Sequence, residues 1–275
     1  MLISIPKSWI LETEVLDING EACGTIKLPP IFAYPVRKDL IRRAFLAEFT
    51  AGLQPQGRDP LAGKRTSARS FGVGRGMARI PRIKENGRGA LVNSTVGGRR
   101  AHPPRVDKVI VEEINKKEKM LATISAIAAT AVKELVLKRG HIFERETLPI
   151  VIDSGVLNEI RKTRDARVFL DKIGVYKDIL RARERTRIRA GKGKMRGRKY
   201  ITPRSVLFVV EDHKSPFALS VRNLPGVDIA TPDKVSVLEL APGGVPGRLT
   251  VYTSKSLEML WERFKSKVRV VSMIE

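Results

Sequence analysis

Apolar residues recur with two different periods along this chain. Near the start, Val15–Ile18 and Thr25–Leu28 are short β-branched runs around Asn19-Gly20, a hairpin signal that Pro29-Pro30 terminates. The period then becomes helical in "VRKDLIRRAFLAEFTAG". Ile41, Phe45 and Phe49 fall on one face with Leu40, Ala44 and Ala47 beside them, and the pattern stops near Gly52. Farther on, "KKEKMLATISAIAATAVKELVLKRG" predicts one long helix. Its Ala-rich centre suits burial against a sheet, and Lys138, Arg139 and Gly140 form its stop.

The second half alternates between the two periods. "PIVID" (149–153), "SVLFVVE" (205–211), "GVDIA" (226–230) and "RLTVYT" (248–253) are strand candidates. "TRDARVFLDKIG" ends at Gly174, and "KSLEMLWERFKSK" places Leu257, Leu260, Trp261 and Phe264 on one stripe. Alternating strands and helices predict right-handed crossovers, hence the α/β class: a three-layer α/β/α body with a mostly parallel sheet of about four strands. No repeat of fixed period interrupts this pattern.

Residues 52–105 show neither period, and charge explains why they matter. The 275 residues carry a formal net charge of +23, which points to a polyanion as partner. Residues 52–105 hold 12 Lys and Arg against Asp59 and Glu85, and residues 181–204 hold 11 against Glu184. The rest of the chain has 29 basic and 26 acidic groups, so a near-neutral body carries two basic devices. The body is expected from 1–51 and 106–275, with 52–105 inserted as a long extended loop and 181–204 as a second basic segment within it.

The loop has few apolar residues, against an ordering cost of about 1–2 kcal/mol per residue. A loop of this length is therefore functional or disordered. Doubled back on itself it reaches at most ~90 Å at about 3.3 Å per residue. Near-absence of acids favours RNA over a solvated linker, which mixes signs. Its phosphate-binding candidates are Arg58, Lys64, Arg65, Arg69, Arg75, Arg79, Arg82, Lys84, Arg88, Arg99, Arg100 and Arg105. In "GKRTSARSFGVGRGMARIPR" (63–82) the cations have no acid among them, and Gly72, Gly74 and Gly76 permit tight bends.

The second segment places Arg181, Arg183, Arg185, Arg187 and Arg189 at alternate positions, one face of a strand or the whole circumference of a helix. "GKGKMRGRK" is too glycine-rich for a helix, which predicts an exposed basic loop held by anions. Its candidates are Arg187, Arg189, Lys192, Lys194, Arg196, Arg198 and Lys199.

Enzymatic signals are weak by comparison. Gly72-x-Gly74-x-Gly76 lacks the preceding strand and the full dinucleotide motif, and "GRDPLAGKRTS" has the wrong spacing for a phosphate loop. Asp153-Ser154 follows a strand, where such a pair usually caps a helix. His102, His141 and His213 have no metal-ligand spacing. Cys23 reads as a small packed residue, and one cysteine excludes an internal disulfide. No catalytic residue, metal or cofactor is expected. No apolar run approaches the roughly 20 residues that span a bilayer, and "MLISIPKSWILETE" lacks a signal peptide's features, so no membrane role and an intracellular site are expected. That opening segment is assigned no role.

"SFGVGRG" (70–76), "AHPP" (101–104), "AGKGKMRGRKY" (190–200), "LPGVDI" (224–229) and "LAPGGVPGRLTVYT" (240–253) occur in an order spanning most of the chain. With these motifs the chain resembles the large-subunit ribosomal protein of the universal L-four family, in its archaeal and eukaryotic form. The resemblance implies a structural protein of the cytoplasmic ribosome. Its partners would be large-subunit ribosomal RNA, neighbouring ribosomal proteins and the nascent peptide. It further implies that the tip of the long loop lines the peptide exit tunnel. Ser67, Ala68, Arg69, Ser70, Phe71, Gly72, Val73, Gly74 and Arg75 match that tip. An RNA-processing or RNA-modifying enzyme is the alternative, and a DNA-compacting protein a third class.

Overall fold

Alternation within three short strands sets the architecture. In the computed structural model, which describes residues 3–6 and 11–271, Ile150 and Ile152 face one core and Val151 faces the other. Phe208 and Val251 likewise point opposite to Leu207, Val209 and Tyr252. Both faces of the sheet are therefore apolar and covered, as a parallel sheet requires.

The strands are β1 (Ile3–Pro6), β2 (Glu12–Leu16), β3 (Ala22–Lys27), β4 (Ile150–Ile152), β5 (Arg187–Ile188), β6 (Tyr200–Ile201), β7 (Leu207–Val209), β8 (Asp228–Ala230), β9 (Thr250–Thr253) and β10 (Val268–Val271). The helices are α1 (Lys38–Ala51), α2 (Lys116–Thr130), α3 (Lys133–Lys138), α4 (Val156–Glu159), α5 (Thr163–Lys172), α6 (Tyr176–Glu184), α7 (Pro216–Val221), α8 (Val237–Leu240) and α9 (Ser254–Lys265). The main sheet has six strands in the order β3-β2-β4-β9-β7-β8, antiparallel only between β2 and β3. One core packs α1, α2, α8 and α9 on the first face, and the other packs residues of α3 to α7 on the second.

The three-layer α/β class is the one expected, with more strands. The N-terminal hairpin is not a separate feature: Val15 and Leu16 pair in parallel with Val151 and Ile152, which extends the sheet to six. Its turn has Gly20 at φ +78°, a left-handed conformation for which Asn-Gly is suited. Cys23, expected to be packed, is exposed, because β3 is the edge strand and most of its side chains face outward. α1 buries Leu40, Ile41, Ala44 and Ala47. Phe45 and Phe49 lie beside that stripe and stack on each other at 5.8 Å, leaving Phe49 49% exposed.

The long helix expected over 116–140 is two. It breaks at Val132, which is extended at φ −92°, ψ 103°. The break comes where the chain changes cores, since α2 packs in the first and Val136 of α3 in the second. A straight helix cannot serve both faces of one sheet. Gly140, at φ +89°, ends α3 as expected.

β1 pairs in parallel with β10, with Ile3 opposite Val268. Residues 1–2 and 7–10 of the opening segment, including part of the stretch read for a signal peptide, lie outside the described residues. Among the described residues no helix is long and apolar enough to cross a membrane.

Candidate nucleic-acid interface

The chain divides into two compact units, Thr50–Val111 and the remainder. No residue from 50 to 111 is buried, so that unit is built without a hydrophobic core. Its backbone holds it instead. Arg69 and Arg82 exchange N–H···O bonds of 3.0 and 2.9 Å, Ala90 donates to Pro81 at 2.9 Å, and Ile83 donates to Arg88 at 2.9 Å. The expected extended loop is thus a chain that folds back on itself several times. Gly98 marks the tightest point: a Cβ there would lie 1.9 Å from the Val92 carbonyl oxygen.

The Arg69–Arg82 bridge closes a loop over residues 70–81. Gly72, Gly74 and Gly76 have φ of +86°, +74° and +61°, and a Cβ added to any of them would meet nothing within 4 Å. These glycines serve the backbone conformation, not a close approach within the protein. Val73 and Arg75 between them are exposed, whereas Phe71 is half-buried. Of the tip residues that lie before the loop, Ser67 and Arg69 are exposed and Ala68 half-buried.

The cations differ in how free they are. Arg58, Lys64, Arg69, Arg75, Arg79, Lys84, Arg88, Arg99, Arg100 and Arg105 are exposed. Arg65 is exposed but forks onto both oxygens of Asp59, which holds that carboxyl below its usual range and raises Arg65. Residues 63–82 contain no acid, yet Asp59 reaches back to neutralise one of their cations. Arg82 is half-buried and donates to the Gly87 carbonyl at 2.8 Å, so part of its role is to hold the bend.

The second segment is not one loop. α6 includes Arg181 and Arg183, and β5 and β6 then form a small antiparallel hairpin around a 3-10 turn at Lys192–Met195. Arg187, Lys192, Lys194, Arg196, Arg198 and Lys199 are exposed on it. Arg189 is half-buried: its N–H donates to Lys199 O at 2.8 Å and its Nε to Arg198 O at 2.9 Å, closing the hairpin. Among the described residues, Arg65 alone of the candidate cations is paired with a carboxylate.

Arg181 belongs to the body, contrary to its place in a basic run. Its side chain is 9% exposed and pairs with the fully buried Asp178, Nε to Oδ1 at 2.8 Å. Asp178 also accepts from Ile142 N–H at 3.0 Å and faces His141 Nδ1 at 3.0 Å. Burial alone would push the Asp178 carboxyl up. The bonds to His141, Arg181 and Ile142 outweigh it and leave the group at about 2. Burial pushes His141 down against the attraction of Asp178. Arg181 also donates to Arg204 O at 3.0 Å, which ties the base of α6 to the chain leaving the hairpin. Alternation of arginines alone could not tell this anchor from its exposed neighbours.

The remaining candidates for chemistry have structural partners. Asp153 accepts from Gly155 N–H at 3.0 Å, and Ser154 Oγ meets Ser254 Oγ at 2.8 Å and accepts from Lys255 N–H at 3.2 Å. The pair therefore shapes the start of α4 and of α9. His102 and His213 are exposed. Among the described residues no group of three or more His, Cys, Asp or Glu is placed to hold a metal ion. Sequence reading also missed a body cluster of Lys38, Arg42, Lys138 and Arg139, which comes together from separate elements.

A family model described as "Ribosomal protein L4/L1 family" matches residues 26–263. The chain is 63% identical over 251 residues to the "Large ribosomal subunit protein uL4" of Aeropyrum pernix, covering 91% of this chain and 92% of that protein. Identity to the protein of the same name from Saccharolobus solfataricus is 54% over 258 residues, covering 94% and 96%. For that of Sulfurisphaera tokodaii it is 51% over 259 residues, covering 94% and 97%.

Proposed function

The chain belongs to the ribosomal protein L4/L1 family, and from that membership we propose how its parts serve the large ribosomal subunit. It is a structural constituent of that subunit in the cytoplasmic ribosome, not an enzyme. Ribosomal RNA and neighbouring ribosomal proteins are its partners.

In the finer assignment, the unit at 50–111 and the β5–β6 hairpin are the two ribosomal-RNA-binding devices, and the α/β body carries them. One observation supports this most: a unit with no buried residue presents cations that, apart from Arg65, have no carboxylate partner among the described residues. Such a surface repels itself in isolation and is stabilised by phosphates. Ser67–Arg75 is the tip that borders the exit tunnel and the nascent peptide. Left-handed glycines at 72 and 74 hold Arg75 and Val73 outward, away from the rest of the unit.

Subunits reconstituted with Ser67–Arg75 deleted test the tip. They should assemble with a folded body and show altered peptide passage or altered response to tunnel-binding compounds. Unchanged passage and response, with the deleted protein incorporated, would remove the tunnel assignment.

A further inference from the structure

The body bears a cationic cleft outside both basic devices. It has a volume of about 450 Å³ and is lined by Lys38, Arg42, Leu135, Lys138, Arg139 and Val245, together with glycines of the 243–246 turn. Three stretches far apart in sequence build it: the start of α1, the end of α3, and the turn between α8 and β9. Gly247, at φ +92°, lets the turn press onto α3, where a Cβ would lie 2.7 Å from the Leu135 carbonyl. Gly243 and Gly244 are both left-handed, at φ +78° and +74°, and Gly243 is exposed at the rim.

No described carboxylate forms an ion pair with Lys38, Arg42, Lys138 or Arg139. Asp39, next to Lys38, is held by Arg37 at 2.5 Å. Arg139 is fixed within the cleft: its two terminal nitrogens donate to the carbonyls of Val245 and Pro242, the latter at 2.6 Å. Carbonyl partners orient a guanidinium without neutralising it. Burial, then the positive charges of Arg248 and Arg181, push Arg139 down to about 10. Elsewhere in the body, a buried arginine does have a carboxylate: Arg248 pairs with Asp228 at 2.7 Å and Arg181 with Asp178. Arg139 is the contrast, half-buried, oriented and left with its charge.

We propose that this cleft is a third contact with ribosomal RNA, taking a backbone phosphate between Arg139 and the exposed ends of Lys38, Arg42 and Lys138. The inference rests on the ribosomal reading above. A phosphate fits better than a protein carboxylate because four cations converge on a space open enough for a sugar-phosphate unit, and a single carboxylate would leave most of that charge unmet. The body then does more than carry the two devices. It fixes its own register on the RNA.

The test is filter binding of the full-length protein to a transcript of the Aeropyrum pernix large-subunit ribosomal RNA, across a salt series. Four proteins are compared: wild type, Arg42→Ala/Lys138→Ala, Arg139→Lys, and a hairpin variant with Lys192, Lys194, Arg196 and Arg198 changed to Ala. Arg42 and Lys138 are exposed, so the cleft variant should melt like wild type; Arg139→Lys, which keeps the charge and loses the fork, is measured beside it. The cleft variant should bind about tenfold or more weakly, with the slope of log affinity against log salt shallower by about 1. Wild-type affinity and slope for the cleft variant, with loss in the hairpin variant, would overturn the cleft and leave the ribosomal reading intact. Loss at unchanged slope would also overturn it, as would unchanged RNA binding joined to failed docking of another ribosomal protein. No loss in either variant would overturn the cleft and the hairpin device together, leaving the unit at 50–111 as the remaining RNA contact.

Discussion

Asp178→Asn isolates the anchor beneath the second basic device. In the native protein, Oδ1 accepts from Ile142 N–H at 3.0 Å and Arg181 Nε at 2.8 Å, while Oδ2 faces His141 Nδ1 at 3.0 Å and Arg181 Nη2 at 3.2 Å. Asn fits the same space but keeps one acceptor oxygen and removes the charge. If that oxygen stays on Ile142 and Arg181 Nε, the new NH2 group points at Arg181 Nη2, donor against donor. His141 can adjust its tautomer; the guanidinium cannot. Removing one partner of a buried ion pair costs about 3–5 kcal/mol. The retained bonds place this case near ~3 kcal/mol, or roughly 6–12 °C in melting temperature at this chain length. Urea titration followed by circular dichroism should show a lower midpoint at unchanged slope. Ribosomal RNA affinity of the folded variant should stay at the wild-type level, because Arg181 is turned inward onto Asp178 and lies in neither the proposed devices nor the cleft. A loss under about 1 kcal/mol, or an RNA defect without a stability defect, would refute the reasoning.

The same cluster predicts a pH dependence. His141 is held neutral by burial, so the unfolded chain takes up a proton below about 6.5 that the folded chain resists. Stability should be level above that pH and fall below it, and His141→Gln should flatten the fall; an unchanged pH profile in that variant would contradict the assignment. Asp178 adds a second loss only at lower pH, between its ordinary 3.8 and about 2. Gly98→Ala puts a Cβ against the Val92 carbonyl and should speed amide exchange around Thr95–Arg99, leaving the body unchanged. Gly72→Ala, with open space but φ +86°, should cost only about 1–2 kcal/mol locally, and equal effects of the two would argue against the described packing. With about ten phosphates engaged, wild-type affinity for ribosomal RNA should fall with salt at a log–log slope of roughly −7 to −9, measured by filter binding; a slope near zero would exclude a phosphate-dominated interface.

Short β-branched runs such as "PIVID" and "RLTVYT" were readable because a sheet covered on both faces needs apolar residues on both sides. Their alternation carries each strand's two faces, but not which helix covers which face. That is why the break at Val132 was hidden: the helical period continues through it, and only tertiary packing moves Val136 to the other core. The hairpin's merger with β4 was hidden for the same reason, since pairing partners lie far apart in sequence. Charge density located both basic devices because it is a local property. It could not show that Arg65 reaches Asp59, that Arg82 and Arg189 brace their own bends, or that Arg181 turns inward to Asp178. The cleft at Arg139 was least legible, since its cations come from ordinary-looking helix ends.

Ultraviolet crosslinking of intact large subunits, with each peptide–nucleotide adduct mapped to its residue, tests the two-device interface most directly. Adducts are expected within 52–105 and within 187–199, besides any at the body cleft of Lys38, Arg42, Lys138 and Arg139, with those from Ser67–Arg75 on nucleotides of the exit-tunnel wall. Adducts confined to the body's outer helices, with both basic segments uncrosslinked, would contradict it.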